Sequence, residues 1–209
     1  MRDPLRDRGP VLVERLGRRP FEEVHAQMRE IAASIRTDGA PGKVLLVEHD
    51  PVFTAGRATP ATDLRDDIVP IERGGRITYH GPGQLVVYPI VPLPKRDVRA
   101  WLRALEAFGV AICGDFELRG EPSVDGTGVF VGGRKVASIG VAIRSWINLH
   151  GISINVAMDL AAFHEVRPCG LDPSIMSDLS RCSGRPISLE EAIAAAERHI
   201  PGLLGEAVA

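Results

Sequence analysis

Between Gly128 and Ala157 the chain carries three strand-length runs set too close together to pair in any way but antiparallel: Gly128 to Val131, Lys135 to Arg144 and Leu149 to Ala157. Only Gly132-Gly133-Arg134 and Ser145 to Asn148 separate them. Connections this short make hairpins, whereas a parallel pair needs a crossover of about a dozen residues or more. Lys43 to Glu48 is a further apolar run of buried-strand type, stopped by His49-Asp50-Pro51, and Leu85 to Ile90 is another. Helical spacing appears at Phe21, Val24, Met28, Ile31 and Ile35, closed by Gly39-Ala-Pro-Gly42, and again at Trp101, Leu102, Leu105, Phe108 and Ile112, with Asp97 as N-cap. Ser188-Leu-Glu-Glu191 reads as a capping box opening a last helix that runs to about His199. Residues 55 to 73 show no period and are expected to form a loop over the surface. Helices interleaved with hairpin-spaced strands give an α/β (α+β) fold, a mixed and largely antiparallel sheet flanked by helices, as one domain over residues 1–209.

Composition narrows the function by exclusion. A net charge of −2 gives no electrostatic reason to expect nucleic acid or an anionic membrane as partner. Met1 to Pro10 is charged and broken by prolines, mobile in character and without the apolar centre of a secretory signal, and no later run reaches membrane-spanning length. The expected location is the cytoplasm. Cys113, Cys169 and Cys182 are an odd set without metal-ligand spacing, and the six histidines contain no H-E-x-x-H pattern, so neither a disulfide framework nor a metal centre is expected. Cys113 ends an apolar run and reads as core; Cys182 sits among polar residues with no evident role.

Four features carry chemistry. Arg167-Pro-Cys-Gly170 holds Cys169 between two residues that fix a backbone path, and Asp172-Pro173 just beyond reads as a helix start, a setting that favours thiolate over thiol. The same segment is compatible with a buried structural cysteine. Lys135 leads a strand whose alternate residues Ala137, Ile139, Val141 and Ile143 are apolar, and period two places it on their face. Buried there it is a candidate general base; at the strand end it can equally snorkel to water. The opposite face, Val136, Ser138, Gly140 and Ala142, is small, as are Gly151, Ser153 and Asn155 on the next strand. Two small faces side by side leave either a slot for an extended substrate or the seat of a tightly packed helix. Finally, Gly74-Gly75 and Gly81-Pro-Gly83 bracket Arg76-Ile-Thr-Tyr-His80, gathering polar side chains on a bent segment that is neither a Walker A loop nor a Rossmann fingerprint. His49 and His150, each beside a strand end, read as ligands or hydrogen-bonded core residues.

In order and spacing, EHDPVFTAGR at 48–57, RGGRITYHGPGQLVVYPI, GRKVASIGV, LHGISINVAMDL and RPCG resemble the lipoyl(octanoyl) transferase family of lipoate biosynthesis. The resemblance implies the fold of the lipoate and biotin protein ligase catalytic domain. It also implies transfer of an octanoyl group from octanoyl-acyl carrier protein to a lysine of lipoyl domains, those of 2-oxoacid dehydrogenase complexes and of the glycine cleavage H protein, without a cofactor. On this likeness Cys169 is the acyl-accepting nucleophile and Lys135 the residue that activates it. Arg73, Gly74, Gly75, Arg76, Ile77, Thr78, Tyr79 and His80, with Ser138, Ile139, Gly140, Gly151, Ile152 and Ser153, line the acyl site. Ser138 stands where many relatives carry alanine, and Ile175 to Leu179 is a looser match. Arg57, Arg73, Arg76 and Arg144 are candidates for a rim that docks the acidic carrier protein, and a monomer is expected because no heptad seam is present.

Overall fold

The computed structural model describes residues 9–124, 128–165 and 172–208. Seven strands form the main sheet: β1 (Leu12–Arg19), β2 (Lys43–His49), β6 (Gln84–Ile90), β7 (Gly120–Pro122), β8 (Gly128–Val131), β9 (Arg134–Arg144) and β10 (Ile147–Asn155). Their order is β1-β2-β6-β10-β9-β8-β7, parallel between β1 and β2 and antiparallel at every other junction. A smaller sheet, in the order β4-β3-β5, is made of β3 (Val52–Ala55), β4 (Ile68–Pro70) and β5 (Ile77–His80). The helices are α1 (Phe21–Asp38), α2 (Val98–Gly114), α3 (Leu179–Ser183) and α4 (Leu189–Val208). Among the described residues no helix is long and apolar enough to cross a membrane.

The helices divide between the two faces of the main sheet. On one, α2 and α4 bury Trp101, Leu105, Phe108, Ile112, Ala196 and Ile200 against Val44, Leu46, Leu85, Val87, Val129, Ile152 and Ile154. On the other, Val24, Met28 and Ile35 of α1 cover Leu45, Val47, Val86, Tyr88 and Ile90. The apolar runs at β2 and β6 are continuous because both of their faces are covered. Asp97 caps α2 by accepting from the Ala100 amide at 3.0 Å. Ser188 and Glu191 close the expected capping box, each accepting the other's backbone N–H, at 3.2 and 2.8 Å.

Two expectations need correction, and one strand is an addition. The region just after Pro10 is strand β1, an edge whose side chains are mostly exposed; an edge strand needs no apolar face, so no hydrophobic pattern announces it. Residues 55 to 73 contain β4 and a short 3-10 turn, Ala61–Asp63, and are therefore not one loop. Helix α4 passes through Pro201 to Val208 instead of ending near His199, since proline costs one amide donor while its φ suits a helix.

The core packing yields a test. Phe108→Ala, at 3% exposure between α2 and the sheet, should cost about 3–5 kcal/mol. Val13→Ala on the exposed edge strand should change stability by less than about 0.5 kcal/mol. Urea unfolding of both variants checks the contrast.

Candidate active site

The β9–β10 ladder sets the site. Ser138 pairs with Ser153 and Gly140 with Gly151, so the two small faces read from the sequence lie side by side. They form the floor of a narrow cleft, about 30 Å³ in cavity volume and open at its mouth. Helices α2 and α4 occupy the opposite face of the sheet, so the small residues make a slot and not a helix seat. The roof is the glycine-bracketed segment: Gly74 donates its N–H to Val141 O at 2.9 Å, crossing β9 beyond Gly140.

Of the residues assigned to the acyl site, Arg73, Thr78, His80, Ser138, Ile139, Gly140, Gly151, Ile152 and Ser153 line this cleft. Gly74, Gly75, Arg76, Ile77 and Tyr79 are not among its lining residues. Period two along β5 explains two of these absences: Ile77 packs with Ala55 and Ile68, and Tyr79 faces Phe53 and Phe163. Gly75 and Arg76 are exposed. The sequence reading missed Ile71, Val86 and Tyr88 as lining residues and left His150 undecided. Val86 and Tyr88 alternate on β6, a signal that was present, whereas His150 has a left-handed φ of 62° that breaks alternation on β10.

Lys135 is 1% exposed, so it does not snorkel. A register shift turns it to a face other than the expected one: Val129 pairs with Ala137 and Phe130 with Lys135, leaving Val136 as an extra residue on β9. Such a bulge resets alternation. Ala137 stays with Val129 in the core under α2, while Lys135 falls on the face of Ser138. Gly128, which pairs with Ser138, confirms the side, because a Cβ there would lie 2.9 Å from Lys135 Cε. The ammonium sits 5.9 Å from the Phe130 ring centroid. The Lys135 backbone adjoins the segment that follows the cysteine motif, with a parallel bridge to Met176 and a 2.9 Å bond from Ser177 N to Lys135 O.

Cys169 lies outside the described residues. The chain on either side is anchored: Phe163 is buried with Met158 and Met176, and Asn155 Nδ2 donates to Ser177 O at 2.8 Å. The expected helix start at Asp172-Pro173 is a three-residue 3-10 turn, capped by Asp172 accepting from Ser174 N. A turn that short has no appreciable macrodipole, so this segment does not supply the helix terminus expected beside the cysteine motif. Cys113 is core, and burial pushes its thiol up to about 12. Arg73 is 6% exposed and cannot serve a docking rim; Arg57, Arg76 and Arg144 are exposed.

Behind the cleft sits a polar cluster drawn from three elements. His25 Nε2 donates to Glu72 Oε2 at 3.0 Å, and His150 Nε2 lies 3.9 Å from the same oxygen. Local spacing could not reveal this grouping, whose potential ligand atoms fall within 4.8 Å of one another. The protein supplies the cation here itself, since Arg29 donates to both Glu72 oxygens at 3.1 and 3.4 Å. His150 beside it and Arg29 together hold the Glu72 carboxyl well below the usual range, against the opposing effect of burial. His80, in the cleft, donates from Nδ1 to Gln84 Oε1 at 2.7 Å, and burial lowers its pKa to about 3.

Residues 20–201 match the lipoyl protein ligase A/B catalytic domain family. An octanoyltransferase of Syntrophotalea carbinolica is 39% identical over 197 residues, 92% of this chain and 93% of its own. One of Geobacter metallireducens is 35% identical over 201 residues, 94% of each chain. Among solved structures, a lipoate-protein ligase A bound with ATP superposes with a TM-score of 0.73 at 18% identity, over 95% of this chain and 86% of that one. A bipartite lipoate protein ligase from Thermoplasma acidophilum gives 0.72 at 16%, over 93% and 83%. These two likenesses show the fold.

The buried histidines set an acid limit. His25, His49, His80 and His150 are all held below their ordinary pKa by burial, whereas in the unfolded chain they titrate near 6.5. Between pH ~6.5 and the folded values the unfolded state binds more protons, so stability falls as pH drops through this window. The urea midpoint should decline steadily from pH 7 to pH 4. A midpoint independent of pH over that range would mean that the imidazoles titrate in the folded protein as they do in the unfolded chain.

Proposed function

The chain belongs to the lipoyl protein ligase A/B catalytic domain family, and from its octanoyltransferase relatives, matched over nearly their whole length, we infer that it is an acyltransferase moving octanoyl groups in lipoate biosynthesis. The donor is octanoyl-acyl carrier protein and the acceptor a lysine of a lipoyl domain. The catalytic unit is the chain as one domain, acting in the cytoplasm as a monomer.

The observation that carries the mechanism is the buried Lys135 on the slot face, its backbone paired with Met176, seven residues after Cys169 in the chain. In the first step Lys135 accepts the proton of Cys169, and the thiolate attacks the thioester carbonyl. The new Cys S–C bond forms as the carrier's S–C bond breaks, and the proton leaves with the carrier thiol. In the second step the acceptor lysine attacks the acyl-cysteine and gives up a proton through Lys135. The amide C–N bond forms, and Cys169 is released as a thiol. Exchange of one thioester for another is near thermoneutral, and the amide product is the more stable, so no nucleotide is required. The slot holds the alkyl chain against the Ser138–Ser153 and Gly140–Gly151 pairs on its floor, with Thr78 and His80 opposite.

The fold likeness to an ATP-bound ligase supports one rival, activation of a free acid by nucleotide. Intact-protein mass spectrometry with octanoyl-acyl carrier protein and no ATP separates the two. A hydroxylamine-sensitive octanoyl adduct is expected on the native protein and absent from Cys169→Ser. An acceptor modified only when free octanoate and ATP are supplied, with Cys169→Ser fully active, would establish the ligase instead. Lys135→Ala should slow acylation by about 10²–10⁴-fold and move thiol alkylation to higher pH; an unchanged alkylation profile would remove Lys135 from that role.

A further inference from the structure

We propose that the Arg73 side chain is the end-stop of the acyl slot, and that the meeting of its aliphatic stem with the bare backbone of Gly140 sets the longest chain accepted. The inference rests on the acyl-transfer reading above and deepens it to substrate length.

The acyl-transfer reading gives the slot a direction. Its reacting end lies toward Lys135, just outside the cleft's lining residues; its floor runs from the Ser138–Ser153 pair to the Gly140–Gly151 pair. Beyond that, the chain at Gly74 crosses and bonds Val141. Arg73 stands at this crossing: a Cβ added to Gly140 would lie 2.9 Å from Arg73 Cδ and 3.8 Å from its Nε. The floor at Gly140 is therefore roofed directly by the arginine stem.

An end-stop must be stiff, and this one is tied at its far end. Arg73 donates to Thr54 O at 2.7 Å, Thr54 Oγ1 at 2.9 Å, Arg76 O at 2.7 Å and Gly74 O at 3.0 Å. These acceptors come from β3 and from the segment's own turn, so the guanidinium staples the small sheet to the roof. A longer alkyl chain would have to push the stem aside and break charge-assisted bonds inside the protein.

The lengths agree. Strand β9 advances roughly 13 Å from Lys135 to Gly140, at about 3.3 Å per paired residue with the bulged Val136 adding no step. The lysine head and the reacting thioester occupy the first part of that run. An extended octanoyl chain spans roughly 9 Å, at about 1.25 Å per bond for tetrahedral carbon, so its methyl ends near Gly140. Two further methylenes need about 2.5 Å that the stapled arginine does not leave.

Acylation rates of Cys169, followed by intact mass with hexanoyl-, octanoyl-, decanoyl- and dodecanoyl-acyl carrier protein, test this. The native protein should lose about tenfold or more between octanoyl and dodecanoyl. Arg73→Ala should bring those two within about threefold of each other, and Gly140→Ala should move the optimum to hexanoyl. In the glycine variant the arginine is retained but its stem must give way to a Cβ 2.9 Å from Cδ, so urea unfolding of both variants accompanies the rates and whichever folds carries the test. Acyl-enzyme that forms with an unchanged length profile in the folded variants overturns the end-stop alone. No adduct on the native protein with any chain overturns the acyl-transfer reading, and the end-stop with it.

Discussion

The register of β9 against β10 is the constraint on which the site depends. A sheet has two faces, and a slip of one residue exchanges them. With Ser138 opposite Ser153 and Gly140 opposite Gly151, all four open onto the cleft, while Ile139 and Ile152, paired with each other, pack toward α2. One residue out of register, the isoleucines would fill the slot and the serines would be buried under the helix. Burial of Ile152 at 1% exposure in the main core therefore specifies the cleft as surely as any residue lining it. The bulge at Val136 then works against this regularity at one point, placing a lysine on the cleft side while the valine remains in the core.

Several of the polar groups buried near the cleft are matched by partners from other elements. Glu72 has Arg29 and His25; His49 bridges Arg19 O and the Tyr88 hydroxyl at 3.1 and 3.0 Å. Gln84 links His80 to Asn155, which in turn holds Ser177. This last chain of bonds ties β5, β6 and β10 to the segment after the cysteine motif, so side-chain amides do what strand pairing cannot across that gap. Buried amides and imidazoles demand partners, and satisfying them fixes loops that have little apolar surface of their own.

Much of this was legible in the sequence, and the parts that were not share a cause. The hairpin of β9 and β10, the helices α1 and α2 and the small faces of the floor announce themselves through period and spacing over neighbouring residues. Strand β1 did not, since an exposed edge needs no apolar alternation. The face of Lys135 was misread because period two holds only where the ladder is regular, and nothing local marks Val136 as the extra residue. His150 escaped for the same kind of reason, its left-handed backbone setting it outside simple alternation. The cluster of His25, Glu72 and His150 joins α1, a loop and β10, so it exists only once the chain has folded.

Among the described residues, the Arg15 side chain clasps strand β1 to the last helix. Arg15 donates to Glu190 and to both oxygens of Glu197 at 2.5 to 2.6 Å, exposed contacts that fix position more than they add stability. During synthesis β1 is made well before α4, so that clasp must wait for most of the domain before it can close. Until then the outer rim of the sheet is an unguarded template for other strands. The vulnerable interval for this strand is thus the time of synthesis between β1 and α4, and it ends only when α4 arrives for Arg15 to clasp.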